Sequence, residues 1–134
     1  MTLEQQRAAA AHRHVLAIAA AYPGEENKDR KQYASMAQKL PVLIRSAGLC
    51  QALHFVRSRT QDQEITVFSQ LLDHLAEQLR RTDPAITNGG SLCAEVRQAD
   101  LQRYLWLTRE ALASAEWYAR LSQSELGVAK GDGG

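Results

Sequence analysis

The residues best placed to do chemistry in this chain are cations. Lys28, Arg30, Lys31, Lys39, Arg45, Arg57 and Arg59 fall within 28–59 against a single acid, Asp29, a local balance of +6. Ammonium and guanidinium groups at that density attract polyanions, although the whole chain carries only +1. Residues 1–60 hold nine Lys/Arg and four Asp/Glu, and residues 61–134 hold seven and eleven, so the excess belongs to the first half. Such a face can neutralise phosphates and gain from counterion release. Few aromatics accompany it, which points to backbone contact rather than base readout. The same residues also suit a plain solvated face, or a surface that docks an acidic protein.

The spacing of the other reactive side chains marks no enzyme site. Asn88-Gly89-Gly90 follows no strand and is followed by no Lys-Ser/Thr, so it is not a phosphate loop. No Glu-x-x-His occurs; His74-x-x-Glu77 is its reverse and suits a solvated face. Cys50 and His54 are four apart but are only two ligands, and His12 and His14 point different ways. No Gly-x-Ser-x-Gly elbow is present. The expectation is a protein with no catalysis, metal, cofactor or small-molecule substrate of its own. Two cysteines make no disulfide framework, so a reduced, cytoplasmic setting is expected, with no targeting segment and no membrane span.

The elements that must position these cations are helices. In 134 residues there are only 8 Gly and 3 Pro, and four of the Gly lie in 127–134. Ala11, Val15, Ile18 and Tyr22 mark a first helix, opened by the capping pair Thr2 and Gln5 and closed at Pro23-Gly24. Asp29 is the expected cap of a bent run over 30–58. Its apolar side is Tyr33, Met36, Leu40, Leu43, Leu53 and Val56, and it breaks or kinks at Pro41 and Gly48. Ile65, Phe68, Leu72, Leu75 and Leu79 mark another helix, and Ser91 caps a short one. The last runs from about Asp100 to Leu126 on Leu101, Tyr104, Leu105, Leu112, Ala115 and Ala119, with a Glu116–Arg120 pair on its surface. The fold class is all-α: one compact bundle of five to seven helices over 1–126, and a flexible tail at 127–134. Trp106, Trp117 and Tyr118 cannot all be buried with the leucines, so they are candidate protein contacts.

The stretch Tyr33-Ala34-Ser35-Met36-Ala37-Gln38-Lys39-Leu40-Pro41-Val42-Leu43-Ile44-Arg45-Ser46-Ala47-Gly48-Leu49, continuing through Gln51-Ala52-Leu53 to Phe55, resembles the small subunit of the type III-B CRISPR (Cmr) effector complex. Weaker similarities are Leu3-Glu4-Gln5-x-Arg7-Ala8 and Leu107-Thr108-Arg109-Glu110-Ala111-Leu112 with Glu116-Trp117. Ala47 stands where the pattern usually has Asn. The resemblance implies a non-catalytic helical subunit of an antiviral ribonucleoprotein. Such subunits stack in line with copies of themselves and line the groove for crRNA and target RNA, beside the other subunits. Lys39 and Arg45 lie within the matched motif and are the first candidates for RNA contact. Arg57 follows where members are basic, and Arg13, Arg30, Lys31 and Arg59 rest on charge alone.

Overall fold

The computed structural model describes residues 1–60 and 64–129. Among them are six helices and no strand: α1 (Leu3–Ala21), α2 (Lys28–Ala47), α3 (Leu49–Ser58), α4 (Val67–Arg80), α5 (Gly89–Gln98) and α6 (Leu101–Ser124). The all-α bundle therefore stands, and its boundaries show which local signals decided each helix.

Thr2 and Gln5 form the expected reciprocal cap of α1. α2 starts earlier than expected, at Lys28. Its cap is Asn27, whose side chain accepts from the amides of Asp29 and Arg30 at 2.9 and 3.2 Å. Asp29 sits instead in the first turn, where the helix dipole favours an acid. Pro41 does not interrupt α2: it is buried inside a continuous helix, and the break falls at Gly48. With φ +90°, Gly48 adopts a conformation that a side chain disfavours, which ends α2 and redirects the chain into α3. The hydroxyl of Tyr104 holds this joint by accepting from the Cys50 amide at 3.0 Å. α4 is capped by Thr66, leaving Ile65 outside the helix and 83% exposed instead of in the core. α5 is capped by Asn88, with Ser91 as its third residue, and α6 by Asp100.

α2 and α6 lie antiparallel at the centre. Arg30 reaches the carbonyl of Leu126, Arg45 reaches Glu116, and the Cys50 amide meets Tyr104. The side of α6 that enters the core is Leu107, Ala111, Ser114, Ala115, Tyr118 and Ser122. Leu101 and Leu105 are 73% and 57% exposed, contrary to expectation. The difference is physical: small residues admit close approach to α2, and a stripe of Ala and Ser carries little hydrophobic signal in a sequence. Tyr33, Leu40, Leu53, Leu75 and Leu107, all essentially inaccessible, fill the interior.

The chain does not leave the domain at 126. Leu126 and Val128 are buried, and Gln38 Nε2 donates to the Val128 carbonyl at 2.9 Å. Gly127 turns with φ +69° between them. The expected tail thus begins as a packed strap; residues 130–134 lie outside the described residues.

Candidate nucleic-acid interface

Position on a helix decides what each expected cation can do. Lys39 shares one side of α2 with Val42 and Ser46, three and seven residues on, and all three are exposed. Arg45, six residues past Lys39, is separated from it by about 120° around the helix axis. It points toward α6 and pairs with Glu116. The two motif cations therefore flank a broad edge of α2 instead of forming one row. Beside Arg45 a shallow groove of about 340 Å³ is lined by Pro41, Arg45, Glu116, Ala119, Arg120 and Gln123. Arg120 is a cation of this groove that lies outside the charge window 28–59. The expected Glu116–Arg120 pair gives way to Arg45–Glu116, while Arg120 lies over the Trp117 ring at 5.8 Å.

The other cations sit elsewhere. Arg57 and Arg59 end α3. Arg59 stacks over Phe68 at 5.1 Å, and Arg57 borders a second hollow with Asp73, Gly89 and Gly90. The buried Cys93 thiol is pushed up by burial, with Arg57 pulling the other way. Lys31 pairs with Glu26 at 3.1 Å, at the start of α2. Arg30 holds the chain just beyond α6: it donates from Nε to the Leu126 carbonyl at 3.0 Å. Arg13, on α1, pairs with Glu77 at 2.6 Å. Among the described residues Lys39, Arg57 and Arg59 carry no carboxylate partner, whereas Arg13, Lys31 and Arg45 do.

The aromatic candidates divide similarly. Trp106 and Trp117 are half-buried against the core, and Trp117 donates from Nε1 to Glu4 at 2.7 Å. Tyr118 is not a surface residue. It is wholly buried, and its hydroxyl meets His14 Nδ1 at 2.7 Å, a bond that a leucine-based reading of α6 could not reveal.

That bond belongs to a polar cluster inside the bundle. The rings of His14 and His74 stack with centroids 4.2 Å apart and planes 5° apart. His14 Nε2 meets Glu77 at 3.0 Å, and His74 Nδ1 meets the Tyr33 hydroxyl at 2.8 Å. His74 is lowered to about 3, first by burial and then by the neighbouring His14. Burial lowers His14 too, against the pull of Glu77. Burial opposes ionisation of Glu77, but the hydrogen bonds from Arg13 and His14 and the Arg13 charge outweigh it and hold the carboxyl below its usual range. The solvated face expected for His74 is thus corrected: its ring packs between helices, a placement its spacing to Glu77 does not signal. Among the described residues no group of three or more His, Cys, Asp or Glu could hold a metal ion. No described helix is long and apolar enough to cross a membrane.

Comparison with known proteins gives this geometry a setting. The family model described as CRISPR-associated protein (Cas_Cmr5) matches residues 3–125, from the first turn of α1 to the end of α6. The chain is 40% identical over 99 residues to the CRISPR system Cmr subunit Cmr5 of Thermus thermophilus, covering 74% of this chain and 79% of that one. It superposes with a TM-score of 0.74 on the X-ray crystal structure of a CRISPR-associated Cmr5 family protein from the same organism, at 37% identity over 92% of this chain and 96% of that chain. Sequence and fold agree along nearly the whole molecule, and the chain belongs to the Cmr5 family of CRISPR-associated proteins.

Proposed function

We propose that this chain is the non-catalytic small subunit of a type III-B CRISPR Cmr effector complex and works in the cytoplasm as part of antiviral defence. In this reading it contacts the backbone of the guide or target RNA along the outer edge of α2. The supporting observation is that Lys39 and Arg45, the two cations within the family motif, both reach solvent, and that Arg45 lines the α2–α6 groove. An exposed pair such as Arg45–Glu116 contributes little to stability, so a phosphate can displace its carboxylate at small cost. Copies stack in line through a heterologous interface, which extends without closing. The half-buried Trp106 and Trp117 and the exposed Leu101 and Leu105 offer apolar area for copies or other subunits.

The test is Lys39→Glu/Arg45→Glu in the assembled complex, with RNA retention measured across a salt series. The expected result is weaker retention and a salt slope smaller by about one per lost phosphate contact. Unchanged retention and slope would overturn the RNA reading. A complex that survives nuclease treatment with no protected RNA would favour the alternative, in which the same face docks an acidic protein.

A further inference from the structure

Four helices supply the polar groups around the two stacked imidazoles. α1 gives Arg13 and His14, α2 gives Tyr33, α4 gives His74, Glu77 and Gln78, and α6 gives Tyr118. Arg81, just after α4, reaches the cluster by donating to Gln78 at 3.1 Å. With the His14 ring neutral, the hydrogen bonds assign its protons. Glu77 is ionised and only accepts, so His14 donates to it from Nε2. His14 Nδ1 is then an acceptor, and the Tyr118 hydroxyl donates to it. Tyr118 oxygen in turn accepts from Gln78 Nε2 at 3.2 Å. Around His14 the network is complete with the ring neutral.

An added proton disturbs this arrangement. On His14 it must go to Nδ1, which forces the Tyr118 hydroxyl to turn toward the His74 carbonyl, 3.3 Å away. On either ring it puts a cation face to face with the other ring at 4.2 Å, largely out of water. Glu77 offers partial compensation, but Arg13 already holds the same oxygen at 2.6 Å. We propose that the stacked His14–His74 pair is an acid-sensitive latch, which holds α1 and α4 together while both rings are neutral and releases them when either takes a proton. The downward displacement of both imidazoles agrees with this. The sign follows from linkage. Each ring titrates near 6.5 in the unfolded chain and lower in the fold, so its stability is fully present above about 6.5 and is lost as pH falls below it.

The test is denaturant unfolding of the full chain at pH values from 7.5 to 5.0, for the wild type and for Tyr33→Phe/His74→Phe. The double variant removes one ring together with its hydrogen-bond partner, so no buried hydroxyl is orphaned. Above pH 5 ordinary carboxylates stay ionised, and the exposed His12 and the half-buried His54 are the same in both proteins. For the wild type the folding constant is expected to fall toward about tenfold per pH unit for each ring kept neutral, and the double variant to lose the share of His74. A flat wild-type profile, or equal slopes in both proteins, would overturn the latch. If the double variant does not fold, imidazole nitrogen resonances of the wild type decide the matter. Neutral, tautomer-locked rings for His14 and His74 down to pH 5 support the latch, and titration of both near 6.5 in the folded protein refutes it.

Discussion

Glu77 and Glu116 each receive an arginine from another helix, Arg13 from α1 and Arg45 from α2. Their second partners separate them. Glu77 is also bound by His14, whose side chain is 6% exposed, and through it by Tyr118 and the interior. Glu116 has no such anchor among the described residues: both members of its pair are about half exposed and face a shallow groove. One ion pair roofs a buried network and the other lies across an open surface. The same chemistry therefore serves cohesion at one place and leaves a cation exchangeable at the other, because burial sets the cost of leaving a polar group unpaired.

The sharpest way to break the comparison is at the inner end of the first network. Tyr118→Phe keeps the ring but leaves His14 Nδ1 without its donor and takes an acceptor from Gln78. The expected cost is about 1–3 kcal/mol in denaturant unfolding at pH 7.5, as for other orphaned buried groups. A loss below about 0.5 kcal/mol would show that the interior tolerates an unpaired imidazole and that the two regions do not differ in kind.

The next effect is at the roof. Glu77→Gln keeps an acceptor for one donor but removes the charge that His14 and Arg13 share. A loss of about 1 kcal/mol is expected at neutral pH, since Glu77 is partly exposed and its pairs are screened. The pH dependence gives a second reading. The Glu77 carboxyl sits below its usual range in the fold, so its contribution is present above the unfolded value and disappears as pH falls through the folded one. The variant should lose that acid limb while keeping the imidazole limb at higher pH. An unchanged profile below about pH 4.5 would place the sensitivity in other carboxylates.

These two regions also differ in how far sequence alone reveals them. Apolar spacing and local caps such as Thr2 locate the helices, although the cap of α5 is Asn88 and not the expected Ser91. Periodicity misplaces the buried side of α6, where Ala and Ser do the packing, and the start of the C-terminal tail, where Arg30 and Gln38 fasten a strap from far along the chain. The cations of the α2 edge are legible as charge density, but their partners are not, since Glu116 is 71 residues from Arg45. The histidine cluster gives no signal: His14, Tyr33, His74 and Tyr118 converge only when four helices pack.

The smallest effect on stability carries the most information about the outer surface. Glu116→Gln removes the partner of Arg45 without touching the core, so unfolding should change by only about 0.2–1 kcal/mol. In the folded protein Arg45 then meets Arg120 across the groove with no carboxylate between them. If a phosphate competes with Glu116 for Arg45, removing the competitor should raise RNA retention by the assembled complex by up to about fivefold at low salt, the size of the lost pair. The gain should shrink as salt rises, because exposed charges are screened beyond about 10 Å at 0.1 M. The RNA reading and the protein reading part here. A surface built for phosphate gains from the loss of an acid, whereas one that uses Arg45–Glu116 as a paired contact with a protein neighbour loses assembly instead. Reduced assembly with unchanged RNA retention would assign the groove to a protein partner and leave Lys39 as the motif cation available to a phosphate.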